Sequence, residues 1–261
     1  MGVLGKAAAH FFQYREYIAY SVRSELKLQF SGKYLGALWW VLDPVFYMLA
    51  YILVVHVIFR RGGPDYPVFI FTALLCWKWT SSCIAQNINS IRARGTLLSQ
   101  VYVPKYVFSL IRATAGTADY LFGLLVLFVL NAFFCVPFTL HYAECIPVIA
   151  VNYVFILGVS LCVAHLGVYF ADLNNIFNFL IRMWFYLSPA LYSVADIPAQ
   201  YRWLWRLNPM TLFYESYRNC FLYGKSPDYA GLGVLLGVSL AVVYGGLNLV
   251  YKYDRNYTKV V

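Results

Sequence analysis

The chain has 261 residues, of which 62% are apolar and only 12% charged, with a mean hydropathy of +0.64. Soluble domains carry about a quarter charged residues, so this composition excludes an ordinary soluble fold and predicts an integral membrane protein. The formal charge of +9 is compatible with anionic lipid, an anionic substrate or nucleic acid, but the basic residues are scattered beside apolar segments, which argues against nucleic acid.

The first predicted element is an amphipathic helix within an N-terminal region of residues 1–35. Its apolar residues recur at every fourth position: Tyr14, Ile18, Val22, Leu26 and Phe30. Arg23, Glu25 and Lys27 fall among the polar remainder, a pattern that suits a helix lying along the cytoplasmic membrane surface. The alternative is a short soluble helix packed on a partner, which the start of a membrane segment at Gly36 disfavours. This region lacks the apolar stretch of a secretory signal, so the first membrane helix is expected to direct insertion.

Six apolar segments predict an all-α integral membrane fold with six transmembrane helices in a domain spanning residues 36–251. The segments are 38–59, 68–91, 107–134, 146–170, 176–192 and 232–251. Asp43 and Pro44 interrupt the first, where a proline kinks the helix and a carboxylate must face protein or water. The fifth is short and carries Arg182 in its middle.

Residues 197–223 predict two short re-entrant helices, because each half is too short to cross about 30 Å of hydrocarbon. Asn208 and Pro209 suit the N-cap and the first position of the second helix, and Glu215 and Arg218 follow within it. Irregular backbone at membrane depth is tolerated only against protein or a wet cavity, so these four residues are candidates for a gate beside a cavity or pore.

An even number of spans puts both termini on the same side of the membrane. The terminal segments and residues 92–105 hold more Lys and Arg than the opposite loops, which predicts that both termini are cytoplasmic, with residues 252–261 as a cytoplasmic tail.

Few motifs point to chemistry within this chain. Gly224-Lys225-Ser226 resembles the end of a phosphate-binding loop, but the first glycine of that motif is missing and Pro227 follows. The six cysteines form no CxxC pair and no cluster with the four histidines. Cys135 and Cys145 are the one plausible disulfide pair, in a predicted external loop, and the alternative is that both are free thiols. Whether the chain is an enzyme stays open.

Two groups of motifs resemble the membrane-spanning permease subunits of ABC exporters for lipid-linked polysaccharide such as teichoic acid, O-antigen or capsule. The first is Arg23-Ser24-Glu25-Leu26-Lys27, then Lys33-Tyr34-Leu35-Gly36-Ala37-Leu38-Trp39 and Pro44. The second is Arg182-Met183-Trp184-Phe185-Tyr186-Leu187-Ser188-Pro189, followed by Ile197-Pro198, Leu207-Asn208-Pro209-Met210 and Glu215-Ser216-Tyr217-Arg218. Together they cover most of the chain but do not separate one polymer from another.

The resemblance implies a homodimer in the bacterial cytoplasmic membrane, joined to two separate ATPase subunits that bind ATP and Mg, with no cofactor in this chain. The expected substrate is a polymer on a polyprenyl-pyrophosphate lipid. The resemblance also implies that the N-terminal helix lies at the membrane interface and that residues 92–103 dock in the ATPase. The expected packing face of that segment is Leu97, Leu98, Val101 and Tyr102. An ordinary connecting loop is the alternative.

Aromatic residues make up 20% of the chain, and belts at the membrane surface account for many of them. Tyr47, Tyr51, Phe179 and Tyr186 lie deeper, which favours a polysaccharide channel lined by the first and fifth spans. Sugar rings stack weakly on aromatic rings. For any one of these four residues, plain packing between helices is an equal alternative.

Lys78 and Arg182 are cations at membrane depth and therefore functional candidates. Arg can hold an anionic lipid pyrophosphate through paired hydrogen bonds. The alternatives are structural ion pairs, with Asp43 and Asp119 as possible partners, or side chains that extend to the membrane surface. Asp119 is also spaced to pair with Arg112 on its own helix.

Three other functions remain open at this stage. A permease for lipids or drugs would share the architecture. A membrane-embedded polyprenyl-phosphate sugar transferase would need clustered acidic residues or metal ligands, and Asp172 stands nearly alone on the predicted inner side. A gradient-driven carrier would show inverted repeats, which are not evident.

Overall fold

The computed structural model describes residues 2–31, 34, 38–58, 60, 63, 65–94, 102–170, 172–254 and 256–257, and within these ranges the regular structure is entirely helical. The helices are α1 (Val3–Gln13), α2 (Arg15–Phe30), α3 (Leu38–Tyr51), α4 (Tyr66–Asn87), α5 (Tyr106–Phe133), α6 (Cys145–Tyr169), α7 (Leu173–Tyr186), α8 (Arg202–Arg206), α9 (Pro209–Arg218) and α10 (Tyr229–Lys252). Wider π-helical turns continue α3 through Ile52–Ile58 and α9 through Asn219–Tyr223.

Four of the described helices, α4, α5, α6 and α10, are long and apolar enough to cross a membrane. A shorter apolar helix covers Leu42–Ile58, and α7 has only 14 residues, about 21 Å at the helical rise. The fold is thus an all-helical, membrane-spanning bundle, and the count of six spans stays a prediction. The chain turns over residues 187–190, so α7 ends before the predicted position 192, because Pro189 disfavours helical backbone in the residue before it.

The helix predicted within residues 14–35 is present as α2, and a further helix that was not predicted, α1, precedes it. α2 packs against α5, and its predicted apolar stripe is partly covered there, with Ile18 only 7% exposed. α1 packs on α10, where His10 Nδ1 lies 3.0 Å from the Tyr251 hydroxyl. The Tyr106 hydroxyl of α5 donates a hydrogen bond to the Ala7 carbonyl at 2.9 Å. Both helices are therefore fastened to the same end of the bundle.

Close contacts between helix backbones hold the centre of the bundle together. α4 is largely buried, and α6 packs along α10 through two small residues. A Cβ atom at Gly246 would lie 2.8 Å from the Leu161 Cβ, and one at Gly158 would lie 3.1 Å from the Val243 nitrogen. Small residues at such crossings let membrane helices approach closely.

The segment predicted to be re-entrant is only partly regular. Residues 197–207 form a short 3₁₀ turn and the five-residue α8 instead of one helix. The second half is helical as predicted: the Asn208 Oδ1 accepts the Met210 N–H at 3.1 Å as an N-cap, and Pro209 is the first residue of α9. By contrast, Asp172 precedes α7 without a side-chain capping bond.

Candidate functional site

A cavity of about 400 Å³ opens between α3, α4 and α7. Its lining comprises Asp43, Pro44, Tyr47, Tyr51, Leu74, Trp77, Lys78, Ser81, Ile181, Arg182, Phe185 and Tyr186. The structure thus brings together five of the six predicted channel residues. The sixth, Phe179, lies on α7 with 61% of its side chain exposed and is not part of this wall.

One ion pair lies on the cavity wall. The Lys78 Nζ is 3.2 Å from the Asp43 Oδ2, and 41% and 48% of the two side chains are exposed. Both side chains therefore remain accessible from the cavity while they pair. Of the alternatives that the sequence leaves open for Lys78, an ion pair with Asp43 is the one that forms.

Arg182 leaves the cavity with excess positive charge. Its side chain is exposed on α7, and no described side chain forms a hydrogen bond or ion pair with it. Since Asp43 offsets Lys78, the wall carries one net positive charge. An exposed guanidinium without an acidic partner among the described residues can bind an anionic group such as a phosphate, to which its N–H groups donate charge-assisted hydrogen bonds.

The aromatic residues divide into a buried layer and an exposed layer. Trp77 lies 5.4 Å from Phe185, measured between ring centroids, and Phe185 lies 5.8 Å from Tyr51. Phe185 is only 6% exposed, whereas Tyr47 is 60% and Tyr186 63% exposed. The buried rings pack as core, and the two exposed tyrosines can contact a ligand or a neighbouring chain.

Asn208 joins the end of α7 to the start of α9, behind the cavity. Its Oδ1, which caps α9, also accepts the Trp184 indole N–H at 3.0 Å. Its Nδ2 donates to the Ser188 Oγ at 2.8 Å. Trp184 in turn packs edge-on against Trp77 at 5.5 Å between ring centroids. One amide therefore fixes the cavity-lining helix relative to the segment that follows it.

Arg218 makes a second connection of the same kind. Its guanidinium donates to the carbonyl oxygens of Phe69, Pro189 and Ala190 at 3.3, 2.8 and 2.7 Å. The guanidinium carbon lies 3.4 Å from the centroid of the Phe69 ring, and the residue is 3% exposed. These bonds tie α9 to α4 and to the turn after α7. Glu215 is exposed and lines a separate cavity of about 250 Å³.

Glu25 connects α2 to the bundle. Predicted on the polar side of α2, it is buried and forms ion pairs with Arg94 and, at 3.5 Å, with Arg112. The pairing of Arg112 with Asp119 considered from their spacing is therefore wrong, since the Asp119 Oδ2 accepts a hydrogen bond from Gln29 instead. The positive charges of Arg94 and Arg112 offset the free-energy cost of burying the Glu25 carboxylate.

The other predicted residues at this end are only partly described. Arg23 and Lys27 are exposed on α2. Leu97, Leu98 and Val101 lie outside the described residues. Tyr102 is described: its carbonyl accepts the Tyr14 hydroxyl at 3.0 Å, and burial, followed by the neighbouring Asp254 carboxylate, raises the pKa of its phenol to about 12.

Cysteines and metal ligands form no further site in the described chain. All six cysteines are free thiols, so the alternative of a disulfide between the exposed Cys135 and the buried Cys145 does not hold in the structure. Within the described ranges, no group of three or more His, Cys, Asp or Glu side chains could hold a metal ion.

Sequence reasoning did not single out Trp77 or Ser81 as members of the cavity wall. A signal for them exists, because Leu74, Trp77, Lys78 and Ser81 are spaced by three and four residues and so share one face of a helix. The candidate Lys78 could have pointed to that whole face.

Comparison with known proteins supports a transport fold for this arrangement. The ABC-2 type transporter family matches residues 17–222, more than three quarters of the chain. The chain is 29% identical to the O-antigen export system permease protein RfbA of Myxococcus xanthus over 240 residues, covering 91% of this chain and 92% of that protein.

Two further relatives match over similar lengths. A Klebsiella pneumoniae O-antigen export system permease protein RfbA is 27% identical, with 91% and 92% of the two chains covered. The polysialic acid transport protein KpsM of Escherichia coli is 23% identical, with 86% and 88% covered. Together with the apolar helices of the bundle, the family match identifies a multi-pass membrane protein that belongs to the ABC-2 type transporter family.

Proposed function

We propose that this chain is the permease subunit of an ATP-driven exporter of polysaccharide, and that the cavity between α3, α4 and α7 forms part of the polymer's path. The observation that carries the proposal is the combination, on one cavity wall, of exposed tyrosines with Arg182, which pairs with no described side chain, in a chain of this family. The names of the relatives support polysaccharide as the class of substrate.

The chemistry of the wall suits a polymer attached to a lipid pyrophosphate. Tyr47 and Tyr186 offer ring faces on which sugars stack weakly enough to slide, and Arg182, with Lys78 nearby, offers charge to the anionic linkage. Asp43 keeps Lys78 from attracting that linkage too strongly. On this proposal the Asn208 and Arg218 connections hold the re-entrant segment, 197–223, beside the path.

A second copy of the chain is proposed to complete the path. The cavity is open, and apolar side chains remain exposed on both flanking helices, among them Phe46, Leu49, Phe179 and Leu180 at 50–61%. Exposed apolar surface of this kind beside an open cavity is typical of an interface between chains. The proposal therefore includes a homodimer in the bacterial cytoplasmic membrane, with both termini cytoplasmic.

ATP hydrolysis is proposed to take place in two copies of a separate ATPase, which would hold the ATP and Mg. The docking segment of this chain would be residues 92–103, with Leu98 on its packing face. Glu25, through Arg94, links the start of that segment to α2, so a movement of the segment would reach the N-terminal helices. Leu98→Asp is expected to leave the protein folded but to uncouple ATP hydrolysis from export.

The first experiment is a pull-down of the tagged chain from its native membrane, with identification of its partners by mass spectrometry. Recovery of an equal amount of an ATPase with nucleotide-binding motifs is expected, followed by ATP-dependent polymer export by the reconstituted complex. Replacing both Tyr47 and Tyr186 by Ala should then reduce export without changing assembly. Recovery of the chain alone, active on a polyprenyl-phosphate sugar, would contradict the proposal. Export of a lipid or a drug without polymer would support the ABC transporter assembly but contradict polysaccharide as the substrate.

A further inference from the structure

An apolar groove of about 480 Å³ lies between the N-terminal helices and the flank of α5 and α6. The side of the groove that belongs to α1 and α2 is formed by Phe11, Arg15, Ile18, Ala19, Val22 and Arg23. On α2, the residues at 18, 19, 22 and 23 follow Arg15 by three, four, seven and eight positions, which places them on one broad side of the helix. Ile18 is buried against the bundle, whereas Arg15, Ala19 and Arg23 are exposed. The groove therefore runs along the edge of the face of α2 that packs on the bundle, with Phe11 of α1 at one end.

The floor of the groove presents almost no free polar group. It is formed by Leu110, Thr114 and Tyr153, and the two hydroxyl oxygens lie 3.0 Å apart in a hydrogen bond with each other. Because these polar atoms are already satisfied, the floor suits a hydrocarbon ligand rather than a polar one.

A second apolar cavity of about 240 Å³ continues from the first. The two share Phe11 and Leu110, and the second extends to Leu157 and Leu161 of α6 and to Leu247 of α10. The hydrocarbon-lined surface therefore has two branches that meet beside Phe11.

The rim carries unbalanced positive charge. Arg15 and Arg23 stand about 12 Å apart, two helical turns along α2. Both are exposed, and neither forms a hydrogen bond or ion pair within the described part of the chain. No described acidic residue lines either branch. Two free guanidinium groups above a hydrocarbon-lined groove match a ligand with an anionic head and apolar tails.

We propose that this groove binds one anionic phospholipid, with its acyl chains in the two branches and its headgroup at Arg15 and Arg23. The lipid would fill the wedge between α1–α2 and the bundle and thereby hold the N-terminal helices in place. This site is separate from the cavity between α3, α4 and α7, and the inference does not depend on what the protein transports.

The test is a lipid titration of the full-length protein in detergent, followed by native mass spectrometry, with phosphatidylglycerol and phosphatidylcholine of identical acyl chains. Phosphatidylglycerol should bind more tightly and raise the unfolding temperature. Arg15→Gln combined with Arg23→Gln should weaken the binding of phosphatidylglycerol about 30-fold, since each basic residue near an anionic surface contributes about 1 kcal/mol. Lys6→Gln with Lys225→Gln removes the same charge from exposed positions outside the groove, and should leave binding within about threefold.

A second variant keeps the charges and fills the groove. Leu110→Trp should abolish the preference for phosphatidylglycerol even if the double Arg variant fails to fold. Equal binding of the two phospholipids, or equal losses in the Arg and Lys variants, would overturn the proposal in favour of general surface charge. Tighter binding of a polyprenyl phosphate than of phosphatidylglycerol would also overturn the proposal. So would an Arg15 and Arg23 double variant that binds phosphatidylglycerol normally but no longer associates with a second copy of the chain or with the ATPase.

Discussion

Replacement of Asn208 tests whether one amide holds α7 and α9 in register. Asn208→Ala removes the cap on Met210, the bond from Trp184 and the bond to Ser188. A hydrogen bond contributes about 0.5–1.5 kcal/mol net, and loss of an N-cap costs about 1 kcal/mol. The three losses together should lower the free energy of unfolding by about 2–4 kcal/mol.

The matched control is Asn208→Asp. Its carboxylate can still accept the N–H groups of Met210 and Trp184, and a negative charge is favourable at a helix N-terminus. The two bonds that the amide nitrogen donates are lost, one to the Ser188 Oγ at 2.8 Å and one to the Leu187 carbonyl at 3.4 Å. Because the second is long for a hydrogen bond, the loss should cost about 1 kcal/mol.

The assay is thermal unfolding of the purified protein in detergent. For soluble domains of 150–250 residues, 1 kcal/mol corresponds to about 2–4 °C, so the Ala variant should unfold roughly 5–15 °C below the wild type and the Asp variant less than about 5 °C below it. Wild-type stability of the Ala variant, or equal destabilisation of the two, would refute the role assigned to the amide.

Three further substitutions test contacts that hold the bundle together, each by the same unfolding assay and by the yield of folded protein. Arg218→Met removes three charge-assisted hydrogen bonds to buried carbonyl groups and should cost about 4 kcal/mol or more; unchanged stability would contradict the connection. Gly167→Ala places a Cβ against the Ile88 carbonyl oxygen and should prevent folding, whereas Gly245→Ala, whose Cβ has no described atom of another helix within 4 Å, should be neutral. Glu25→Gln leaves two arginines without their carboxylate and should destabilise the protein by about 3 kcal/mol, and a loss below about 0.5 kcal/mol would refute its anchoring role.

The long helices were predictable because their apolar length is a property of the local sequence. α5 and α6 begin and end within one residue of the predicted segments. α4 ends at Asn87 instead of 91, and there the Asn87 side chain donates to the Cys83 carbonyl at 2.8 Å. Side chains of this type compete locally with helical bonding, which a count of apolar residues does not register.

The cavity was predictable in part, for a different reason. Charged and aromatic residues at membrane depth are costly or specific enough to be noticed one at a time, and this led to Lys78, Arg182 and the tyrosines. The connections behind the cavity could not be found in this way. Arg218 bonds to carbonyl groups at positions 69, 189 and 190, and backbone acceptors leave no trace in a sequence.

The N-terminal helices show the same limit. Glu25 belongs to the polar pattern of an amphipathic helix, yet its partners are 69 and 87 residues away at Arg94 and Arg112. Periodicity gives the face of a helix but not the element that covers it, so a buried ion pair between distant segments looks like a solvated surface charge.

The most direct test of the proposed path is photo-crosslinking of the exporting complex in cells that make the polymer. A photoreactive phenylalanine analogue would replace Tyr186, which is 63% exposed on the cavity wall, or Tyr244, which is 50% exposed on α10 away from it. The account predicts adducts that carry polysaccharide at position 186, dependent on ATP hydrolysis, and none at position 244. Polymer adducts at both positions alike, or at neither while export continues, would contradict the claim that this cavity carries the polymer.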